Sequence, residues 1–238
     1  GYNAVKVLIT PPTESLNPIA AYRYAETMMA ALREALGEDM DIMVDCHGRH
    51  FPGNAIEFCR VLAPFRPYFV EEPVPPENVD ALVEVRKASP VPIATGERLV
   101  TRFQFREIFE KQACHIIQPD LCHCGGLWEA KKIAAMAETY FMGVAPHNPL
   151  GPVANAAALH FALSTPNFLI QEDMLSDVPW RWDVVKSSLK TENGYWLMTD
   201  APGLGIEVDE VAAKNHPFQQ EVIHPMTVRA HDGAVLDW

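Results

Sequence analysis

Six short apolar runs in this chain each lead into an acidic residue or a histidine: MVDCH, YFVEEP, IATGER, IIQPD, VAPHN and LIQED. The residues in question are Asp45, Glu71, Glu97, Asp120, His147 and Glu172, separated by 26, 26, 23, 27 and 25 positions. A strand, a helix and two short loops take about 25–35 residues. One functional group per unit, always where the strand ends, describes a parallel barrel with its chemistry gathered on one rim. That pattern is the reason to expect an enzyme.

The segments between the runs support the same architecture. A strand starts at Tyr2, and AAYRYAETMMAALREAL reads as a helix stopped by Gly37. Further strands are expected at Ile42–Asp45, Tyr68–Val70, Ile93–Ala94, Ile116–Gln118, Met142–Ala145 and Phe168–Gln171. Helices are expected near Ala55–Leu62, Val79–Ala88, Phe103–Glu110 and Val153–Leu163, with another opened by Gly125–Gly126. Strict alternation implies parallel strands joined by right-handed crossovers. The seven strands are one short of the usual eight, and the chain begins abruptly inside a strand. The expectation is therefore an incomplete barrel over residues 1–177, with a first strand and a further N-terminal region lying upstream. From Asp177 the pattern breaks, and residues 178–238, with Trp180, Trp182 and PGLGIEV, read as a C-terminal appendage.

Composition narrows the partners. With 238 residues, 48% of them hydrophobic, the chain can bury one large core. A formal net charge of −12 argues against nucleic acid and against an acidic membrane surface. No apolar stretch has the length of a membrane span, and no charged-then-apolar leader opens the chain. The five cysteines are an odd number without framework spacing, which reads as reduced thiols in a cytoplasmic protein.

Three carboxylates at successive strand ends, Asp45, Glu71 and Glu97, offer hard oxygen ligands without sulfur or nitrogen among them. That set suits Mg²⁺ and leaves positions for an oxygen-rich substrate. Any one acidic residue alone is ordinary on a loop; the joint reading rests on the spacing. Glu72 adjoins Glu71, and strand alternation assigns only one of them to the interior, with Glu72 facing the helical layer. Asp120 ends the strand before His147, so its carboxylate can fix the imidazole tautomer and raise its basicity. His47, two residues after Asp45, is a second candidate for proton transfer, set opposite His147 across the barrel mouth. Glu172 can meet developing negative charge, and Arg49 is a candidate substrate contact. His160, His216, His224 and His231 read as ordinary structural histidines. Cys122-His123-Cys124 lacks the second ligand pair of a zinc site. No phosphate-binding loop is present, and Gly125–Gly126 lacks the dinucleotide fingerprint.

Taken together, VDCHGR, FVEEP, ATGER, IIQPDLCHCGG, APHNPLGP, LIQED and PGLGIEVDE resemble the enolase superfamily, and within it the acid-sugar dehydratases of the mandelate racemase subgroup. The resemblance covers nearly the whole chain. It implies a (β/α)7β TIM-like barrel preceded by an α+β capping domain, on which the appendage would pack. It further implies that Asp45, Glu71 and Glu97 bind Mg²⁺, that His147 paired with Asp120 takes the proton α to a carboxylate, that His47 assists loss of the β-hydroxyl, and that Glu172 stabilises the enolate. The implied substrate is a sugar acid, an aldonate such as galactonate, and relatives of this type form homo-oligomers, dimers or octamers. One departure is instructive. Racemases of the subgroup carry Lys-x-Lys on an early strand, whereas this chain has Lys6-Val7-Leu8. Two-base racemisation is disfavoured, while Lys6 is still expected near the substrate carboxylate. The competing expectations are a racemase or epimerase of a 2-hydroxy acid on the same scaffold, and a catalytically silent barrel.

Overall fold

The structure, a computed structural model, describes residues 1–219 except Pro12 and 175–177, together with 228–229 and 235–237. The expected boundary at residue 177 lies outside the described residues, as do His224 and His231. The strands are β1 (Ala4–Leu8), β2 (Asp41–Asp45), β3 (Phe69–Glu71), β4 (Ile93–Thr95), β5 (Ile116–Ile117) and β6 (Gly143–Val144). They alternate with helices α1 (Ile19–Leu36), α2 (Pro52–Leu62), α3 (Val79–Ala88), α4 (Thr101–Glu110) and α5 (Gly126–Thr139), and α6 (Pro152–Leu163) follows β6. Hydrogen bonding orders the strands β1-β2-β3-β4-β5-β6, the same as their order in the chain.

By its packing the chain divides into two compact units. One contains residues 3–96 and 106–117 with the described residues 228–229 and 235–237; the other contains 1–2, 97–105 and 118–219. In the first, β1 to β5 pair in parallel, each with the next. Ile42, Met43 and Val44 in β2 are consecutive and all buried. A strand covered on both faces needs such a continuous apolar run. Helix α1 buries Ala21, Ala25 and Met29, one turn apart, and stops at Gly37, whose φ of 85° lies in the left-handed region. Helix α2 begins three residues before the expected Ala55, because Pro52 suits a first helical position that needs no N–H donor. Asn78 caps α3, its side chain accepting the Ala81 N–H. Strands β11 (Val228–Arg229) and β12 (Val235–Asp237) pair antiparallel.

In the second unit, α5 buries Ala130, Ile133, Ala134 and Ala137. The expected strand Phe168–Gln171 reduces to a single parallel rung between Val144 and Phe168. The Val144 N–H donates to the Asn167 carbonyl at 2.9 Å, and the Leu169 N–H donates to the Val144 carbonyl at 2.8 Å. Past that rung the next donor to the Leu169 carbonyl would be residue 146, and Pro146 has no N–H, so the ladder stops. Farther on, β7 (Val185–Ser187) pairs antiparallel with β10 (Ile206–Val208). Strands β8 (Lys190–Glu192) and β9 (Tyr195–Leu197) form a hairpin closed by Asn193–Gly194, both at positive φ, the two-residue turn that matches strand twist. A short helix, α7 (Glu210–Ala213), follows. Among the described residues no helix is long and apolar enough to cross a membrane.

Candidate active site

Register brings the carboxylates together. Asp45 and Glu71 end β2 and β3 and are direct partners across the ladder. Pairing continues past the strand ends, with the Cys46 N–H on the Glu71 carbonyl at 3.0 Å and the Glu72 N–H on the Ala94 carbonyl at 2.9 Å. Asp45 Oδ1 accepts the His47 N–H at 2.7 Å, and His47 adopts a left-handed φ of 51° to close this turn. Lys6 Nζ lies 2.9 Å from Oε2 of the fully buried Glu71. Burial, reinforced by the neighbouring Glu71 charge, pushes the Asp45 carboxyl up from its usual 3.8 to about 7, while Lys6 and the His47 N–H pull it down and Glu72 adds to the rise. Strand alternation ends at Glu71: Glu72 has a φ of 38° and is itself buried.

Arg49 and His50 follow. Arg49 is largely enclosed, and its carbonyl accepts the Thr13 hydroxyl at 2.8 Å. His50 is buried with its ring centroid 4.7 Å from that of Phe58. Burial, helped by Arg49, lowers its pKa to about 4. Neither ring nitrogen of His50 has a hydrogen-bond partner among the described residues.

In the second unit Asp120 organises a turn and an imidazole. Its Oδ1 accepts the N–H groups of Cys122 at 2.7 Å and His123 at 3.1 Å. Its Oδ2 lies 2.8 Å from His147 Nδ1. Burial raises this carboxyl, but the His147 hydrogen bond, the Cys122 N–H and the two nearby imidazoles outweigh it and leave the pKa below the usual value. With the Nδ1 proton held by a carboxylate, Nε2 is the nitrogen that can accept a proton. That Nε2 lies 3.4 Å from Glu97 Oε2. His123 adjoins the same glutamate, its Nδ1 3.3 Å from the Glu97 carbonyl. Of its two neighbours, Cys122 is exposed and Cys124 buried, and both are free thiols.

Glu172 Oε2 accepts the Asn148 N–H at 2.8 Å. The Asn148 amide donates to Asn155 Oδ1 at 2.6 Å, the Asn155 amide to Asp173 Oδ1 at 2.8 Å, and the Trp196 indole to Asp173 Oδ2 at 2.8 Å. None of these four residues was singled out by the sequence pattern, although Asn148 directly follows His147. The expected metal ligands fall in both units: Asp45 and Glu71 in the first, where they are ladder partners, and Glu97 in the second, beside His147.

Comparison with known proteins identifies the family of the chain. The family described as enolase C-terminal domain-like matches residues 1–212. The D-galactonate dehydratase of Cronobacter sakazakii (strain ATCC BAA-894) is 39% identical over 222 residues, which cover 90% of this chain and 58% of the relative. The D-galactonate dehydratase of Xanthomonas euvesicatoria pv. vesicatoria (strain 85-10) is 34% identical over 249 residues, covering 100% of this chain and 64% of the relative. The chain thus spans about three fifths of the length of the curated relatives it matches. A crystal structure of a mandelate racemase/muconate lactonizing enzyme from Jannaschia sp. CCS1 superposes with a TM-score of 0.87 at 35% identity, covering 94% of this chain and 58% of that one. Ordered parallel strands, alternating helices and these similarities make the fold an α/β, TIM-like barrel, and the chain belongs to the enolase C-terminal domain-like family of the enolase superfamily.

Proposed function

We propose that the protein is a Mg²⁺-dependent dehydratase of a sugar acid, an aldonate such as galactonate. The observation that carries this reading is the Asp120–His147 pair of the second unit, whose Nε2 lies 3.4 Å from an oxygen of the acidic Glu97. A proton acceptor at the edge of a cation site is what removal of a proton α to a carboxylate requires. With Asp45, Glu71 and Glu97 as ligands, three hard oxygens would fit Mg²⁺ better than softer metals. The Asp45 pKa, raised first by burial and then by the neighbouring Glu71 charge, marks a carboxyl that a divalent cation would favour in its ionised form. When bound there, Mg²⁺ would supply electrostatic stabilisation to the substrate carboxylate as charge moves onto it.

The chain's own residues then divide the work. Asp120 holds His147 so that Nε2 takes the α-proton. The electron pair of that C–H bond moves toward the carboxylate, where Glu172, carrying a proton in this reading, would donate a hydrogen bond to the resulting charge. As the pair returns, the bond to the β-hydroxyl breaks, and His47 gives its proton to the departing oxygen, which leaves as water. The enol product tautomerises to a 2-keto-3-deoxy acid. Lys6, paired with Glu71, and Arg49 are assigned to holding the substrate. In the same reading, residues 178–238 pack against an α+β capping domain, and the protein works as a cytoplasmic homo-oligomer.

The test is a keto-acid assay of the full-length protein against a stereochemical library of aldonates and aldarates, with and without Mg²⁺. Mg²⁺-dependent keto-acid formation is expected. Epimerisation is the second reading, favoured by the similarity to a mandelate racemase/muconate lactonizing enzyme. Incubation in deuterated water separates the two, since α-exchange without keto acid would defeat dehydration. Absence of turnover across the library would leave a silent barrel.

A further inference from the structure

We propose that Asn155 and Asp173 are positioning residues for Glu172, acting through Asn148. The inference rests on the dehydratase reading, in which Glu172 meets the charge that develops on the substrate. Its basis is the direction of a hydrogen-bond chain that runs through the second unit. The Trp196 indole can only donate, so Asp173 must accept from it. An ionised Asp173 can only accept, so Asn155 must turn its NH₂ toward it and its oxygen toward Asn148. Asn148 must then donate with its own NH₂. Neither amide can flip without setting two donors or two acceptors face to face.

This polarity ends on Glu172. Asn148 grips that residue twice, its backbone N–H on Oε2 at 2.8 Å and its side-chain amide on the Glu172 carbonyl at 3.3 Å. Asn148 and Asn155 are each only 3% exposed, so their bonds do not compete with bulk water. Asn148 also directly follows His147. The spacing between the imidazole and the Glu172 carboxylate is therefore governed by an asparagine on α6, an aspartate beside Glu172 and a tryptophan on β9. Arg181 and Tyr2 are the other charged or titratable side chains that interact electrostatically with Asp173.

The chain's polarity suggests a swap experiment in the full-length protein, reading kcat and KM on whichever sugar acid the wild type dehydrates. Asn155→Asp sets two carboxylates against each other. It should lower kcat about tenfold to a hundredfold, as for other residues that orient a functional group from behind, with KM changed less than about twofold. Adding Asp173→Asn restores the order of donors and acceptors: the new amide gives its NH₂ to residue 155 and takes the indole N–H on its oxygen. That double variant should recover most of the lost kcat. If Asn155→Asp fails to fold, Trp196→Phe, which removes only the far donor, should lower kcat about twofold to fivefold with KM unchanged. Wild-type kcat in the folded variants, a loss confined to KM, or no recovery in the swap would overturn the inference. A wild-type protein without dehydratase activity would instead sink the reading beneath it.

Discussion

Among the individual residues, Asp120 has the most sharply defined task. It accepts from three donors, and only one of them belongs to the imidazole. Asp120→Asn would offer an amide in place of an acceptor and favour the wrong His147 tautomer. Turnover should fall by about 10²–10⁴, the usual worth of a positioned proton-transfer group. Mg²⁺ affinity, measured calorimetrically, should stay near wild type; normal turnover would remove Asp120 from the reaction. Asp45 makes a different prediction. Its carboxyl titrates near 7 without metal, so a cation binding at pH 6.5 must displace a proton. Titrations in buffers of different ionisation enthalpy should register that release, and a proton count of zero would contradict the assignment. His50 governs acid stability. Unfolded, its imidazole protonates near the usual 6.5; folded, it stays neutral down to about 4. Between those values the unfolded chain binds more protons, so stability falls as pH drops through this window, by up to about 3 kcal/mol. Urea midpoints at pH 7 and 4.5 should show wild type losing more stability than His50→Leu, and equal losses would refute the link.

At the scale of elements, the last turn of α1 is tied to its surroundings by Arg33. Arg33, in the last turn, donates to the carbonyls of Phe65 at 2.9 Å, Arg66 at 3.0 Å and Gly37 at 3.3 Å, and also to that of Met40. A cation at a helix C-terminus also complements the helix dipole. Arg33→Leu keeps the apolar stem but leaves these acceptors to water, and should cost about 2 kcal/mol by urea unfolding. A loss below about 0.5 kcal/mol, typical of ordinary surface changes, would show that the loops hold without it.

For the whole molecule, a cation held as proposed would couple chemistry to stability. Asp45 and Glu71, ladder partners at two strand ends, repel each other when ionised. Chelation should therefore abolish turnover and lower the melting temperature, and Mg²⁺ should restore both. A cation at a hundred times its dissociation constant adds about 2.7 kcal/mol. Unchanged activity after exhaustive chelation would exclude the acidic cluster from catalysis.

Sequence alone determined β1 to β6, the helices α1 to α6 that follow them and the positions of the acidic residues at or just past the strand ends, because these are written locally. An apolar run followed by a carboxylate is legible within five residues, and β2, β3 and β4 lie where those runs predict. The Asp120–His147 contact was also within reach, since adjacent parallel strands bring their ends together. Other features depended on tertiary structure. Glu72 leaves strand alternation through a left-handed backbone angle, which no neighbouring residue type announces. The run at Phe168 stays a single rung because the fold sets its continuation beside Pro146, which has no N–H to donate. The chain from Trp196 to Glu172 joins residues from four stretches of sequence. An asparagine carries no spacing signal, and its role is set by which way its amide faces. That direction is decided only when the fold places a donor on one side of it and an acceptor on the other.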